Sequence, residues 1–242
     1  MMKKILTACI CFMPFSSIKP FLLNLLGHKV SKNAKIGLSI IVAQKLVLGN
    51  SASIGHLNFI SISKICLKSN ARIRNVNYLK GNFDLLMKSF SIIINFNLIT
   101  RGSVDWAPPC SKLVLGKNSQ ITSFSSIDLA ASVILGNDVV LAGKGIQVWT
   151  HGFVHDYNRN RYLVTGKVIL GNNIYIGART CINPGVRIAD DVTVGVNATI
   201  SKNLNRPGLY VSHALRHLEF NPHQRLESFQ RVINNESTYY QK

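Results

Sequence analysis

Between Gln147 and Gly171 the chain reads QVWTHGFVHDYNRNRYLVTGKVILG, and the residues in it that could do chemistry are His151, His155 and Asp156. Imidazole titrates near neutrality, so a positioned His can take a proton from a hydroxyl or an amine. The five cysteines, Cys9, Cys11, Cys66, Cys110 and Cys181, are odd in number, and no spacing among them suits a disulfide framework or a zinc site. His151 and His155 lie four apart, and no third His stands at a matching distance; His56 is far upstream. Zinc needs three protein ligands around it, so no metal is expected.

What positions these groups is a repeat. From Val168 to Ile200 a large aliphatic residue returns at every sixth position: Leu170, Ile176, Ile182, Ile188, Val194 and Ile200. A small residue often follows, as in Gly171, Gly177, Ala189 and Gly195. A second series occupies Ile36, Val42, Leu48, Ile54, Ile60 and Cys66, with Gly37, Gly49 and Gly55 behind three of them. A third, less regular set holds Leu115, Ile121 and Ile127, then Leu135 and Leu141 after a slip. Period six fits a triangular solenoid in which each unit supplies a short strand and a corner. The aliphatic residue points inward, and the small neighbour permits the tight corner. Turns stack about 4.8 Å apart, and the stacking supplies the stability. Between Asn77 and Cys110 the repeat blurs, so residues 77–112 are expected to be irregular. Residues 147–167 are expected to project from a corner as a loop.

The 242 residues suffice for one domain with a sizeable core. Apolar content is 47% and charged content 16%, which excludes a disordered chain. The net charge of +18, from 28 Lys and Arg against 10 Asp and Glu, predicts anionic partners. The basic residues are scattered and no nucleic-acid-binding signature accompanies them, so no nucleic acid is expected. The cysteine usage fits a reducing cytoplasm. Residues 1–33 form an apolar, basic segment. Pro14, Lys19 and Pro20 interrupt it, so it makes a poor membrane span, and it would either lie in a membrane interface or pack on the rest of the protein. Residues 34–205 carry the repeat. In residues 206–242, Pro222 followed by Leu226, Phe229, Val232 and Ile233 suggests a short amphipathic helix.

THGFVHD, followed by VILGNNIYIG and INPGVRIADDVTVG, resembles the sugar O-acetyltransferase branch of the hexapeptide-repeat acyltransferases, which includes galactoside and maltose acetyltransferases. The likeness runs from about Leu135 to Arg216; upstream only the repeat is shared. It implies an all-β fold, a left-handed parallel β-helix, assembled as a homotrimer. It implies acetyl-CoA as donor, a sugar or oligosaccharide acceptor, and His151 as general base. Backbone N–H groups near Gly177 and Ala178 would face the oxyanion. Tyr175, Gly177, Ala178 and Val196 match positions along the CoA groove, and Lys202 and Arg216 match basic residues near its phosphates. Asp128 lies where relatives carry an acidic residue near the acceptor, with an outward corner carboxylate as the other reading. His155 and Asp156 would touch the acceptor or cap the loop. The chain departs from the family where Ser212-His213-Ala214-Leu215-Arg216 replaces a Gly-x-Pro turn, and where Gly195-Val196-Asn197 is bulkier than Gly-Ala-Gly.

The function implied is sugar O-acetylation, in bacterial surface polysaccharide biosynthesis, by direct transfer. The basic charge and the apolar N-terminus extend this to the inner membrane face. An N-acetyltransferase of a nucleotide-linked amino sugar would use the same fold and donor. A structural solenoid would use neither the His151 loop nor the donor.

Overall fold

The computed structural model describes residues 2–102, 110–155, 157, 159, 161–212, 216–218, 230–234 and 237–241. Two helices, α1 (Met2–Phe12) and α2 (Lys19–Leu25), precede a left-handed parallel β-helix of about nine turns. Strands one turn apart pair in parallel, as in Ile36↔Ile54, Ile54↔Ile73 and Ile73↔Ile93. The third face is a sheet of ten strands. The other two faces share one hydrogen-bonded sheet of fourteen strands, because Ile40–Leu48 and Phe59–Leu67 are nine residues long and run round a corner.

The repeat builds this core directly. Leu170, Ile176, Ile182, Ile188, Val194 and Ile200 are all buried. One register column stacks Ile93, Ile121, Leu141, Ile176 and Val194 inside the solenoid. Each such side chain contributes on the order of 2 kcal/mol by leaving water. In the second series Val42 and Cys66 are only half-buried. Within the long strands the inward positions are Ile41, Ala43, Leu46 and Leu48 and, one turn on, Ile60, Ile62, Ile65 and Leu67. Gly136 shows why a small residue follows the aliphatic one: a Cβ there would run into the Gly171 carbonyl of the next turn.

The expected irregularity of residues 77–112 is corrected by the structure. Tyr78–Lys80, Phe83–Met87, Ile92–Ile93 and Leu98–Thr100 continue the solenoid, and Leu79, Phe83, Leu85, Met87, Ile93 and Ile99 are buried. Turns here are one or two residues longer than eighteen: Ile54 pairs with Ile73 and Ile73 with Ile93, so a fixed period of six slips out of phase. Residues 103–109 lie outside the described residues. A buried asparagine ladder fixes one corner through these turns. The Oδ1 of Asn58 accepts the Asn77 N–H (2.9 Å), that of Asn77 the Asn97 N–H (3.0 Å), and that of Asn97 the Ser125 N–H (2.8 Å).

The open N-terminal end is plugged by the helices, as a solenoid end requires. Lys19, 1% exposed, donates from Nζ to the carbonyls of Cys11 (2.8 Å), Ile36 (3.0 Å) and Gly37 (2.8 Å). Burial pulls its amine below the ordinary lysine value, although three carbonyl acceptors favour the ammonium. The Cys11 thiol beside it is pushed up to about 12 by burial. His28 clamps the same end. Its Nδ1 accepts the Leu46 N–H (3.1 Å), so its Nε2 carries the proton and donates to Thr7 Oγ1 (2.9 Å).

At the other end, the expected helix is not what the described residues form. Val232 and Ile233 lie in strand Gln230–Asn234, which pairs antiparallel with Ser237–Gln241. Leu226 and Phe229 lie outside the described residues. Two β-branched residues side by side favour a strand over a helix, and the spacing of apolar residues alone does not register that.

Candidate active site

The expected projection of residues 147–167 begins later than its first residues: Gln147–Val148 stay in the stack, paired with Ser126–Ile127 and Cys181–Ile182, and the chain leaves as an antiparallel hairpin, His151–His155 against Arg161–Thr165. His151 opposes Thr165 at the base of that hairpin, where the chain departs from the stacked turns. Asp128 ends strand Ser126–Asp128 on the turn below; Ile127 there pairs with Val148, which sets the carboxylate under the chain entering the hairpin.

The Asp128 carboxylate holds the imidazole. Its Oδ2 lies 2.8 Å from His151 Nδ1 and accepts the Thr150 N–H (3.1 Å) and the Thr150 hydroxyl (2.6 Å). Thr150 is fully buried, and its Oγ1 in turn accepts the Ala131 N–H (2.9 Å). A carboxylate only accepts, so Nδ1 carries a ring proton, and in the neutral ring Nε2 keeps its lone pair. Nε2 has no hydrogen-bond partner among the described residues. The side chain of His151 is 32% exposed while that of Asp128 is 9% exposed: the ring is reachable and its anchor is not. Trp149 and Phe153 flank the imidazole edge-on, with centroids at 6.3 and 6.2 Å, and the Trp149 indole N–H is tied to Gln147 Oε1 (3.1 Å). Ring and carboxylate together have the geometry of a base with an orienting partner.

Asp128 therefore stands behind the base, where its buried oxygen is occupied. Of the two sequence expectations for it, the outward corner is corrected: the carboxylate is buried against Thr150 and His151. Thr150 was missed altogether. The one signal for either residue is the repeat register, which puts Ile127 under Val148 across an irregular interval. His155 shares the strand face of His151 but sits exposed, four residues further out, about 13 Å away in an extended strand. The two histidines do not converge. Asp156 lies outside the described residues.

The expected donor residues all lie on the later turns. Tyr175 is exposed, and two residues on its chain turns the corner through Gly177 and Ala178. Val196, also exposed, is on the next turn against Gly177, and the Ala178 carbonyl accepts the Asn197 N–H (2.8 Å). Lys202 is exposed beyond strand Thr199–Ile200. Arg216 lies in a strand antiparallel to Gly208–Val211, opposite Val211. The Gly177 N–H donates to the Val194 carbonyl (2.9 Å), so it is not an oxyanion donor. The Ala178 N–H has no partner among the described residues. No three His, Cys, Asp or Glu among the described residues converge as a metal site.

The six-residue repeat and the stacked parallel turns define a hexapeptide-repeat β-helix. Its relatives are acetyltransferases. Galactoside O-acetyltransferase of Escherichia coli is 27% identical over 112 residues, which are 43% of this chain and 55% of that protein. A chloramphenicol acetyltransferase of Agrobacterium fabrum is 27% identical over 89 residues, 35% of this chain and 43% of that protein. The chain thus spans about half the length of these relatives or less. A galactoside acetyltransferase solved in complex with coenzyme A is 18% identical, with a TM-score of 0.43 over 58% of this chain and 70% of that one. No family model matches the chain.

Proposed function

We propose that this protein is an acetyl-CoA-dependent O-acetyltransferase that modifies a sugar hydroxyl, with His151 as general base. The observation that carries the reading is the His151–Asp128 pair. Nδ1 is fixed as the protonated nitrogen and Nε2 is open beside an aromatic surface. In the reaction Nε2 takes the hydroxyl proton as the oxygen attacks the thioester carbonyl. A tetrahedral oxyanion forms, and the partnerless Ala178 N–H is the candidate donor to it. Collapse breaks the carbon–sulfur bond, and the imidazolium returns its proton to the departing thiolate. Asp128 compensates the transient positive charge on the ring throughout. No covalent enzyme intermediate is needed, which leaves the five free cysteines without a catalytic task.

Tyr175, Gly177, Ala178 and Val196 are read as the wall along the pantetheine arm, and Lys202 and Arg216 as partners of the nucleotide phosphates. The exposed Trp149 and Phe153 offer faces on which a sugar ring can stack. A homotrimer is the assembly this reading uses. In its support, Leu57, Val76, Phe96 and Phe124 form an exposed apolar corner column in the left-handed backbone region, where a branched Val is costly. Phe96 and Phe124 stack at 4.9 Å, and Lys144 sits over Phe124. Such a column suits coverage by a neighbouring copy. The acceptor class is a sugar of a bacterial surface polysaccharide, acetylated in the cytoplasm.

The decisive experiment is calorimetry with acetyl-CoA on protein of known oligomeric state, followed by an acceptor panel. One saturable site per chain and acetyl transfer to a hydroxyl would support the reading. Transfer only to an amine would move it to N-acetylation. No donor binding would leave a structural solenoid.

A further inference from the structure

The first 83 residues contain twelve Lys or Arg and no Asp or Glu. They form the two capping helices and the first turns of the solenoid, and all ten acidic residues lie beyond them. The same end carries an unusual helix. In α1 the inward face holds Thr7, tied to His28, and Cys11, while Met2 (76% exposed), Ile5 (56%), Cys9 and Phe12 (58%) face out. A helix on a water-exposed cap should show the reverse pattern. Phe15 on the linker and Phe21 and Leu25 of α2 extend the exposed apolar surface. Lys3, Lys29, Lys32 and Lys35 are exposed among or beside them. A groove of about 460 Å³ opens next to Phe15, between the linker (Pro14, Ser16) and the first turns, with Lys35, His56 and Arg74 along it and Gly37 and Gly55 in it.

We infer that this capping end is a docking surface for a membrane of anionic phospholipid. The apolar face of α1 and the phenylalanines would enter the interfacial layer, the flanking lysines would meet the headgroups, and the groove would take a lipid phosphate. Charge selects this occupant. A second copy brought to the same end would set the exposed Lys3, Lys29, Lys32 and Lys35 against their own counterparts, with no carboxylate in α1, α2 or the first turn to offset them. A duplex nucleic acid would satisfy the charge but leave the phenylalanines in water. An anionic bilayer satisfies both at once. No helix among the described residues is long and apolar enough to cross a membrane, so α1 would lie in the surface plane. The inference concerns the end of the solenoid remote from His151 and stands apart from the acetyl-transfer reading.

The test is flotation of the full-length chain with vesicles of phosphatidylcholine, with and without phosphatidylglycerol. The wild type should float with the anionic vesicles, remain behind with the neutral ones, and release by at least tenfold when salt is raised. The triple variant Phe12→Asp, Phe15→Asp, Phe21→Asp should bind at least tenfold more weakly. The exposed pair Lys32→Glu, Lys35→Glu should also bind more weakly, with the unfolding midpoint of each variant near wild type as the folding control. A wild type that does not float with anionic vesicles overturns the inference, as does binding that both variants leave intact. If the phenylalanine variant instead changes the oligomeric state and the wild type never floats, the surface belongs to a second copy. If binding appears only to duplex nucleic acid, the lipid assignment is equally lost.

Discussion

Asp128 and His151 are 23 residues apart in the chain and 2.8 Å apart in space, joined by an Oδ2–Nδ1 contact across consecutive turns of the solenoid. That contact decides which imidazole nitrogen is free, and most of the chemistry proposed for this protein depends on it.

His151→Ala removes the only proposed base. Turnover of acetyl-CoA with a competent sugar acceptor should fall by about 10²–10⁴, the range of a positioned acid–base group. The donor Kd, read by calorimetry, should stay within about twofold, because the residues proposed to hold the donor lie on the later turns. A variant that loses donor binding to the same degree as turnover would contradict the separation of the two groups.

Asp128→Asn keeps the shape but gives Nδ1 an amide that can either donate or accept. The tautomer is then no longer enforced, and kcat should drop by about 10²–10⁴ with little change in KM. Thr150→Val loses one donor to the same carboxylate and strands the buried Ala131 N–H. It should lower kcat less than Asp128→Asn does, and cost about 1–3 kcal/mol of stability in a denaturant titration.

Lys19→Met removes the ammonium donor from three carbonyls of the capping end, of which Cys11 keeps only a long bond from the Ser39 N–H (3.5 Å). The expected loss is about 3 kcal/mol, in the range for stranding buried polar groups. Because Lys19 ties both helices to the first turn, the loss should appear first at the cap. Peptide-resolved thiol labelling should find Cys11, inert in the wild type, modified well before global unfolding.

His28 makes the same end sensitive to acid. Burial, and then the charges of Lys3 and Lys45, hold its imidazole below the ordinary histidine value. The unfolded chain therefore binds the proton more readily than the folded one. Its contribution to stability is complete above the ordinary value of about 6.5 and declines as pH falls from there through the lowered folded value. Protonation would also place a proton on Nδ1, where Leu46 N–H now donates. The wild type should lose more of its melting temperature between pH 7.5 and 5 than His28→Gln does; equal losses would assign the pH response elsewhere.

Gly136→Ala tests the stacking geometry. A Cβ at Gly136 meets the Gly171 carbonyl, and a carbonyl cannot swing aside as a side chain can. The expected cost is about 3 kcal/mol or more, seen as a lower denaturant midpoint. Gly102→Ala, where nothing among the described residues lies within 4 Å of the new Cβ, should be neutral within about 0.5 kcal/mol.

The sequence alone carried the solenoid, because a residue that must face inward once per side recurs at a fixed interval, as Leu170 through Ile200 do. It also carried the projection that bears His151, since a polar, aromatic stretch interrupting that period has to leave the stack. It could not follow residues 77–100, where Ile73 and Ile93 are twenty apart yet pair directly: one or two added residues per turn destroy the period without disturbing the stacking. It misread Val232 and Ile233 because apolar spacing does not separate a short helix from a hairpin. The partnerships were decided only by tertiary structure. Asp128 under His151, Lys19 against three carbonyls and His28 between Thr7 and Leu46 are contacts between residues far apart in sequence, fixed by how many residues each turn consumes. A carboxylate, an ammonium and an imidazole look alike in sequence whether they face water or a buried partner, and here the register of the stacked turns decides which.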